Sequence, residues 1–309
     1  MSEPFRYEVL PLPGQQTSFL VDGVEKLRWH FGTDSPRPFF FPFHGPANVS
    51  LTRMGHPGAP NHDHHCSIWF AHNQVTGVNF WANTSPAYIR QREWLCYQEG
   101  PESAEMAVLL DWFDGHDPAP LLTQTLIASL RLHADGGTLL ELQAEFTPQA
   151  SQLELGQTNF GLLAVRVARE LSAHFGGGQL RDSEGRTGEA EIFGQQARWM
   201  DYSGPVTQGT GADRKTLFEG ITYFDHPQNI SYPSAWHVRE DGWMGASVCR
   251  TAPVLIRKEQ PLVLRYLLHA HPGEPDAETQ TRLARQFADS PSWSLRKPLR
   301  KHTYWEVVR

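Results

Sequence analysis

The chain has 309 residues, a formal net charge of −7, and 39% hydrophobic and 11% aromatic side chains, enough for a substantial core. No Lys/Arg block stands out and no apolar run reaches transmembrane length, which argues against nucleic acid and membrane as partners. Cys66, Cys96 and Cys249 are too few and too scattered for a disulfide framework, and Met1-Ser2-Glu3-Pro4 lacks the basic and apolar regions of a secretion signal, so a cytoplasmic protein is expected.

In chain order, the first clear element is a hairpin. Phe19 and Val21 lead to Asp22-Gly23, then to Leu27, Trp29 and Phe31, the pattern of two strands joined by a primed turn. Arg37-Pro38-Phe39-Phe40-Phe41-Pro42-Phe43-His44 follows, an aromatic edge with Arg37 and His44 as its polar exceptions. His62-Asp63-His64-His65 then leads into the strand-like Ser67-Ile68-Trp69-Phe70-Ala71-His72. A strand is predicted over 106–113. The clearest pair spans 121–147, where Leu126, Ala128, Leu130 and Leu132, then Leu140, Leu142, Ala144 and Phe146, alternate with polar residues around Asp135-Gly136-Gly137. Further strands are predicted at 161–169, 190–200, 219–224, 234–240 and 253–270, with loops at 176–178 and 203–215. Only 276–289 reads as a helix, with Leu283, Ala284 and Phe287 on one face. Many antiparallel strands with no dividing linker predict an all-β chain. We expect one large antiparallel β-sandwich domain over 1–309, with one short peripheral helix. Its polar sheet faces could form a concave ligand surface or a plain solvated face.

Histidine is the side chain whose unperturbed pKa lies nearest neutrality, so four imidazoles within 62–72 point to proton transfer or metal binding. If 62–65 is extended, His62 and His64 share one face and Asp63 and His65 the other. A His-x-His pair with one remote ligand would hold a divalent metal with an open position; the same pair could move protons without metal, and spacing does not choose. The second constellation is Tyr223-Phe224-Asp225-His226-Pro227 with Trp236-His237-Val238-Arg239. On a strand His237 and Arg239 share a face, and Arg suits a carboxylate or hydroxyl pair. A weaker segment is Arg198-Trp199-Met200-Asp201-Tyr202-Ser203-Gly204. No phosphate loop or dinucleotide fingerprint occurs.

The ordered set RPFFFPFHGP, NHDHHCSIWFAHNQVTGVNFW, ARWMDYSGP, YFDHPQN and WHVREDGWMGA resembles the PmoA-like family over about Arg37 to Leu268. The family's methane-oxygenase label is a misnomer for a chain without a spanning segment. The resemblance implies a β-sandwich like that of galactose mutarotase and a setting among sugar-catabolic genes. It also implies that Arg37, His62, His64, His65, His72, Asp225, His226 and His237 match recurrent polar positions. The family reads Asp-His-Pro-His-His-Arg-Gly where this chain has Asn61-His62-Asp63-His64-His65-Cys66-Ser67.

Three functions compete. The first is a carbohydrate-active enzyme doing acid–base chemistry on a sugar or oxidised sugar: mutarotation, epimerisation, elimination with hydration, or glycoside cleavage. Its expected catalytic set is His62, His64, His65, Asp225, His226 and His237, with Asp63 and Asp225 orienting the imidazoles. Arg37, His44, His72, Trp236, Arg239 and Tyr202 are its expected substrate contacts. The second is a metal-dependent hydrolase or oxygenase with a divalent metal on His62 and His64. The third is a non-catalytic carbohydrate-binding sandwich. A small carbohydrate is the expected partner, and a homo-oligomer is left open.

Overall fold

Period-two alternation places apolar side chains on one face of each strand, and two such faces close on one another in this chain. The computed structural model describes residues 5–56, 58, 59, 62–298 and 301–309; Met1–Pro4 and Asn61 lie outside these. The strands are β1 (Tyr7–Leu12), β2 (Gln16–Val21), β3 (Val24–His30), β4 (Phe39–Phe43), β5 (Ile68–His72), β6 (Tyr88–Glu99) and β7 (Ala104–Phe113). Then come β8 (Leu122–Leu132), β9 (Thr138–Pro148), β10 (Gln152–Leu155), β11 (Gly161–Arg166), β12 (Gln179–Asp182), helix α1 (Gly188–Ile192) and β13 (Trp199–Gln208). The chain continues through β14 (Lys215–Asp225), β15 (Ala235–Arg239), β16 (Trp243–Ser247), β17 (Val254–Arg257), β18 (Leu262–Pro272), α2 (Ala277–Asp289), β19 (Ser294–Arg296) and β20 (Glu306–Val308).

Two eight-stranded sheets form the sandwich. The front sheet has the order β1-β2-β3-β4-β5-β11-β16-β15, and the back sheet the order β12-β13-β14-β18-β9-β8-β7-β6. Every pairing between strands in both is antiparallel, as the sequence led us to expect. The core between them takes Phe19, Phe40, Ile68, Phe70, Leu163, Trp236 and Met244 from the front sheet and Leu126, Leu140, Tyr223, Tyr266 and Leu268 from the back. No helix is long and apolar enough to cross a membrane among the described residues.

The Asp22-Gly23 turn has positive φ at both positions, 51° and 77°, the conformation a primed turn requires, and Val21 pairs with Val24 across it. The hairpin β8–β9 pairs from Leu122↔Pro148 to Leu132↔Thr138. Helix α2 starts at Asp276, whose side chain accepts from the Thr279 N–H at 2.9 Å, a cap worth about 1 kcal/mol.

Four expectations are corrected. The segment 190–200 is not one strand: 188–192 is the helix α1, where Glu191 accepts from the Thr187 N–H at 2.9 Å and secures the first turn, so the described residues hold two α-helices rather than one. The predicted loop 203–215 is largely strand, because Ser203–Gln208 continue β13 and pair with β14. The predicted strand 253–270 breaks at a turn where the Gln260 N–H donates to the Arg257 carbonyl at 3.0 Å. The polar outer face of the back sheet is largely covered rather than open. Leu283 and Phe287 of α2 pack on Leu139, Trp199, Phe224 and Leu267, and the C-terminal hairpin lays Val307 on Ala107 and Ile127. Glu141, which reads as solvated, is thereby buried and pairs with Arg265 at 3.1 Å and with Arg309.

Candidate functional site

The outer face of the front sheet stays open, and a cavity of about 320 Å³ sits on it. Its lining joins three parts of the chain: the histidine turn (His62, His64, His65), the β15–β16 hairpin (His237, Arg239, Asp241, Trp243), and the connecting loops (Asn73, Trp81, Phe160). The histidine turn is not extended. The His65 N–H donates to the His62 carbonyl at 3.1 Å, so the face rule for a strand does not apply there. All three rings gather nonetheless, with centroids 4.4 Å apart for His64 and His65, 5.3 Å for His62 and His65, and 5.9 Å for His62 and His64.

His65 and His237, far apart in sequence, pack on the same indole. Trp243 lies parallel to His65 at 5.4 Å and edge-on to His237 at 5.2 Å. Trp69 also packs on His65 at 5.5 Å and on Trp243 at 5.7 Å, and Trp81 meets Trp243 at 5.1 Å. This aromatic wall follows from alternation: Trp69, Ala71, Ala164 and Trp243 point outward while their neighbours fill the core.

Burial pushes His65 far below the usual imidazole range, helped by His64, Arg166 and His62, so it is neutral at neutral pH. Burial also lowers His237 to about 4, against the pull of the Asn159 carbonyl and with the push of Arg239 and Arg250. His237 Nδ1 lies 3.2 Å from that carbonyl; carrying the proton there leaves Nε2 with the lone pair.

Asp241 supplies the carboxylate of the site. Arg166, wholly buried, grips it through Nη1–Oδ1 at 2.9 Å and Nη2–Oδ2 at 3.2 Å; Arg53 donates to its backbone carbonyl at 2.7 Å and His56 Nε2 lies 3.2 Å from Oδ2. Burial opposes ionisation of Asp241, but the Arg166 hydrogen bonds and charge outweigh it and hold the carboxyl below its ordinary value. Arg239 is fixed at the rim by Glu189 at 2.6 Å and lies over the Phe193 ring at 4.6 Å.

Among the expected site residues, His62, His64, His65, His237 and Arg239 line the cavity and the others do not. Arg37 is 1% exposed and acts on the site from behind, donating to the carbonyls of His64 at 3.0 Å and Trp81 at 2.9 Å and to Asn83 Oδ1 at 3.1 Å. His44 bonds the Glu25 carbonyl at 2.8 Å through Nδ1, where β3 meets β4. His72 is wholly buried and its Nε2 donates to the Gly156 carbonyl at 3.1 Å. Trp236 points inward, against Tyr223 at 4.9 Å. The Tyr202 hydroxyl donates to the Glu240 carbonyl at 2.8 Å and supports the β15–β16 turn.

Asp225 and His226 belong to a different region. Asp225 accepts from Asn229 Nδ2 at 2.7 Å and the Ser234 N–H at 2.8 Å, holding the turn before β15. His226 packs under α2 with Phe287 at 4.7 Å, and its Nδ1 accepts from the Gln228 N–H at 3.1 Å. Asp63 faces Gly55 and the hollow with Met54 and Cys66, not the histidine cavity. Neither Asp63 nor Asp225 is therefore the acid that orients the imidazoles. Among the described residues, a set of three His, Cys, Asp or Glu side chains whose ligand atoms lie within 4.8 Å of one another is His133, Asp135 and His269.

Sequence reasoning missed Asp241, Trp243, Trp81, Phe160, Asn73, Arg166 and His56. Asp241 and Trp243 stood inside the quoted WHVREDGWMGA segment, so a signal existed; Arg166 ends an otherwise apolar strand and carried none. Replacing Arg37 by methionine is expected to cost roughly 2–4 kcal/mol, since three acceptors lose a charged donor. Amide exchange over 62–67 should quicken while β8 and β9 stay protected; an unchanged 62–67 segment would show that Arg37 does not hold the turn.

Residues 16–285 match the model of a family of unknown function, DUF6807. No curated protein matches the chain. Two solved structures are similar in arrangement. The GalM/aldose epimerase homologue from C. elegans is 9% identical with a TM-score of 0.36, covering 87% of this chain and 100% of its own. A candidate mutarotase, YeaD, from Salmonella typhimurium is 11% identical with a TM-score of 0.32, covering 88% of this chain and 92% of its own.

Proposed function

The chain belongs to the DUF6807 family, whose function is unknown, and from its own cavity we propose that it is an enzyme moving protons on a sugar or oxidised sugar. The observation that carries this reading is the convergence of His62, His64, His65 and His237 on one cavity walled by Trp81 and Trp243, with Asp241 at its edge. Indole faces suit the apolar face of a pyranose, and a cavity of about 320 Å³ is of small-ligand size. His237 is the general base: it is neutral, and its Nε2 lone pair is left by the Nδ1 contact to Asn159. His62 and His64, nearer solvent, return the proton on the other side of the substrate. Arg239 and ionised Asp241 hold hydroxyl or carboxylate groups at the rim. The PmoA-like resemblance, with its sugar-catabolic setting, leads the same way.

The test is a panel of aldoses, keto-sugars and aldonic acids followed by proton NMR in heavy water, reading anomerisation and exchange of carbon-bound hydrogen. His64→Ala and His237→Ala are expected to lower turnover by about 100-fold or more, the usual worth of a general acid or base. A wild-type protein that neither binds nor turns over any of the panel would overturn the reading. Binding without turnover, unchanged in both variants, would mark a binding module instead.

A further inference from the structure

On the opposite outer face of the sandwich, three side chains meet at the end of the β8–β9 hairpin. His133 and Asp135 lie in its turn, and His269 projects outward from β18, between Leu268 and Ala270 of the core. His133 Nδ1 is 2.9 Å from Asp135 Oδ1, and His269 Nε2 is 3.2 Å from Asp135 Oδ2. The three ligand atoms all lie within 4.8 Å of one another.

We infer that His133, Asp135 and His269 bind a divalent transition-metal ion of the zinc type. Two observations point past a simple hydrogen-bonded triad. His269 is wholly buried, yet neither of its ring nitrogens has an aligned hydrogen-bond partner: Nε2 meets the Asp135 carboxylate off-axis at 3.2 Å, and the buried His133 Nδ1 meets it likewise at 2.9 Å. Nitrogens this close to a carboxylate without an N–H aimed at it are placed as ligands around a shared cation are. The neighbouring pair shows the contrast: His271 Nε2 bonds Asp201 Oδ2 at 2.8 Å with aligned geometry, and Thr222 bonds the same oxygen at 2.6 Å.

The spacing also suits the ion. Tetrahedral zinc with bonds of about 2.0–2.1 Å sets its donors about 3.3 Å apart, and two imidazoles with one carboxylate favour zinc, cobalt or nickel over magnesium or calcium. The turn is shaped for this approach. Its Gly137 N–H donates to Asp135 Oδ1 at 2.8 Å, and a Cβ on Gly137 would stand 2.8 Å from both Asp135 Oδ1 and His269 Nε2. Asp135 is 28% exposed, so the fourth position faces solvent and would take water or an external ligand. Bound there, the ion clamps the hairpin turn to β18.

The experiment strips the protein with a chelator, removes the chelator, and titrates Co²⁺ while recording the visible spectrum. The expected result is the absorption of tetrahedral cobalt, saturating at one ion per chain and displaced by Zn²⁺, with Zn²⁺ raising the melting temperature. His269 is too buried for a safe replacement, so His133→Ala and Asp135→Asn serve as the variants. Loss of even an outer-sphere partner costs about 10–100-fold in affinity, so losing a direct ligand should cost more than about 100-fold. His64→Ala should bind cobalt as the wild type does, which separates this site from the histidine cavity. No spectral change in the wild type, full affinity in both ligand variants, or loss of binding in His64→Ala would each overturn the proposal.

Discussion

Asp241→Ala is expected to lower the unfolding free energy by about 3–5 kcal/mol, the cost of leaving a buried charge without its partner. The charge is Arg166, which has no exposed side-chain surface and two hydrogen bonds to Asp241. Its Nε has no partner to fall back on, and a second guanidinium, Arg53, presses on it. Against a typical total of about 5–15 kcal/mol, that loss should move the urea midpoint far. The double variant Asp241→Ala/Arg166→Met should regain most of it, because removing both charges also removes the desolvation cost. A single variant within about 1 kcal/mol of wild type would show that solvent reaches Arg166 and that the pair is not structural.

Acid should unfold the protein well above the pH at which carboxylates titrate. His72 and His237 are each lowered by burial to about 4 from an ordinary 6.5, and His65 is lowered further. Between those values the unfolded chain takes up protons that the folded one refuses. The stability from these groups is therefore full above pH 6.5, shrinks as the pH falls, and is gone for His72 and His237 below their folded values near 4. Each of the two contributes about 3 kcal/mol. Other groups run the other way, Glu105 and Glu219 among them, both raised by burial. Asp225 is raised to about 6 by burial, so its protonation below that favours the fold, and His271, raised by the charge and hydrogen bond of Asp201 against the effect of burial, gains from protonation. His226 is lowered to about 4 as well, and His30, His44 and His269 are also lowered by burial, so the depressed histidines outweigh the opposing groups and urea midpoints should drop by several kcal/mol equivalents between about pH 7.5 and about pH 4.5. Equal midpoints at the two would refute this, and would require His72 and His237 to titrate in the native state near their ordinary value.

The residues that carried the β-sandwich were legible because alternation is a local property. In β8 and β9 each core-facing Leu or Ala announces the face of its neighbour, and the Asp22-Gly23 turn announces its own positive φ values. The helix α2 was legible for the same reason, from its apolar spacing, whereas α1 has five residues, too few for a period to show. The histidine turn was legible by composition alone: four imidazoles within 62–72 stand out anywhere.

What alternation cannot say is which polar face stays open. The outer faces of both sheets read alike in sequence; α2 and the C-terminal hairpin cover one, and the cavity occupies the other. That choice separated His237 from its near neighbour His226, sending one beside Trp243 and the other beneath Phe287. It also passed the carboxylate role from Asp63 and Asp225 to Asp241, since Arg166 and Arg53 reach Asp241 only across strands distant in the chain. Adjacency in sequence marks which side chains are near one another along the backbone; only the pairing of β5, β11, β16 and β15 decided which of them share a cavity.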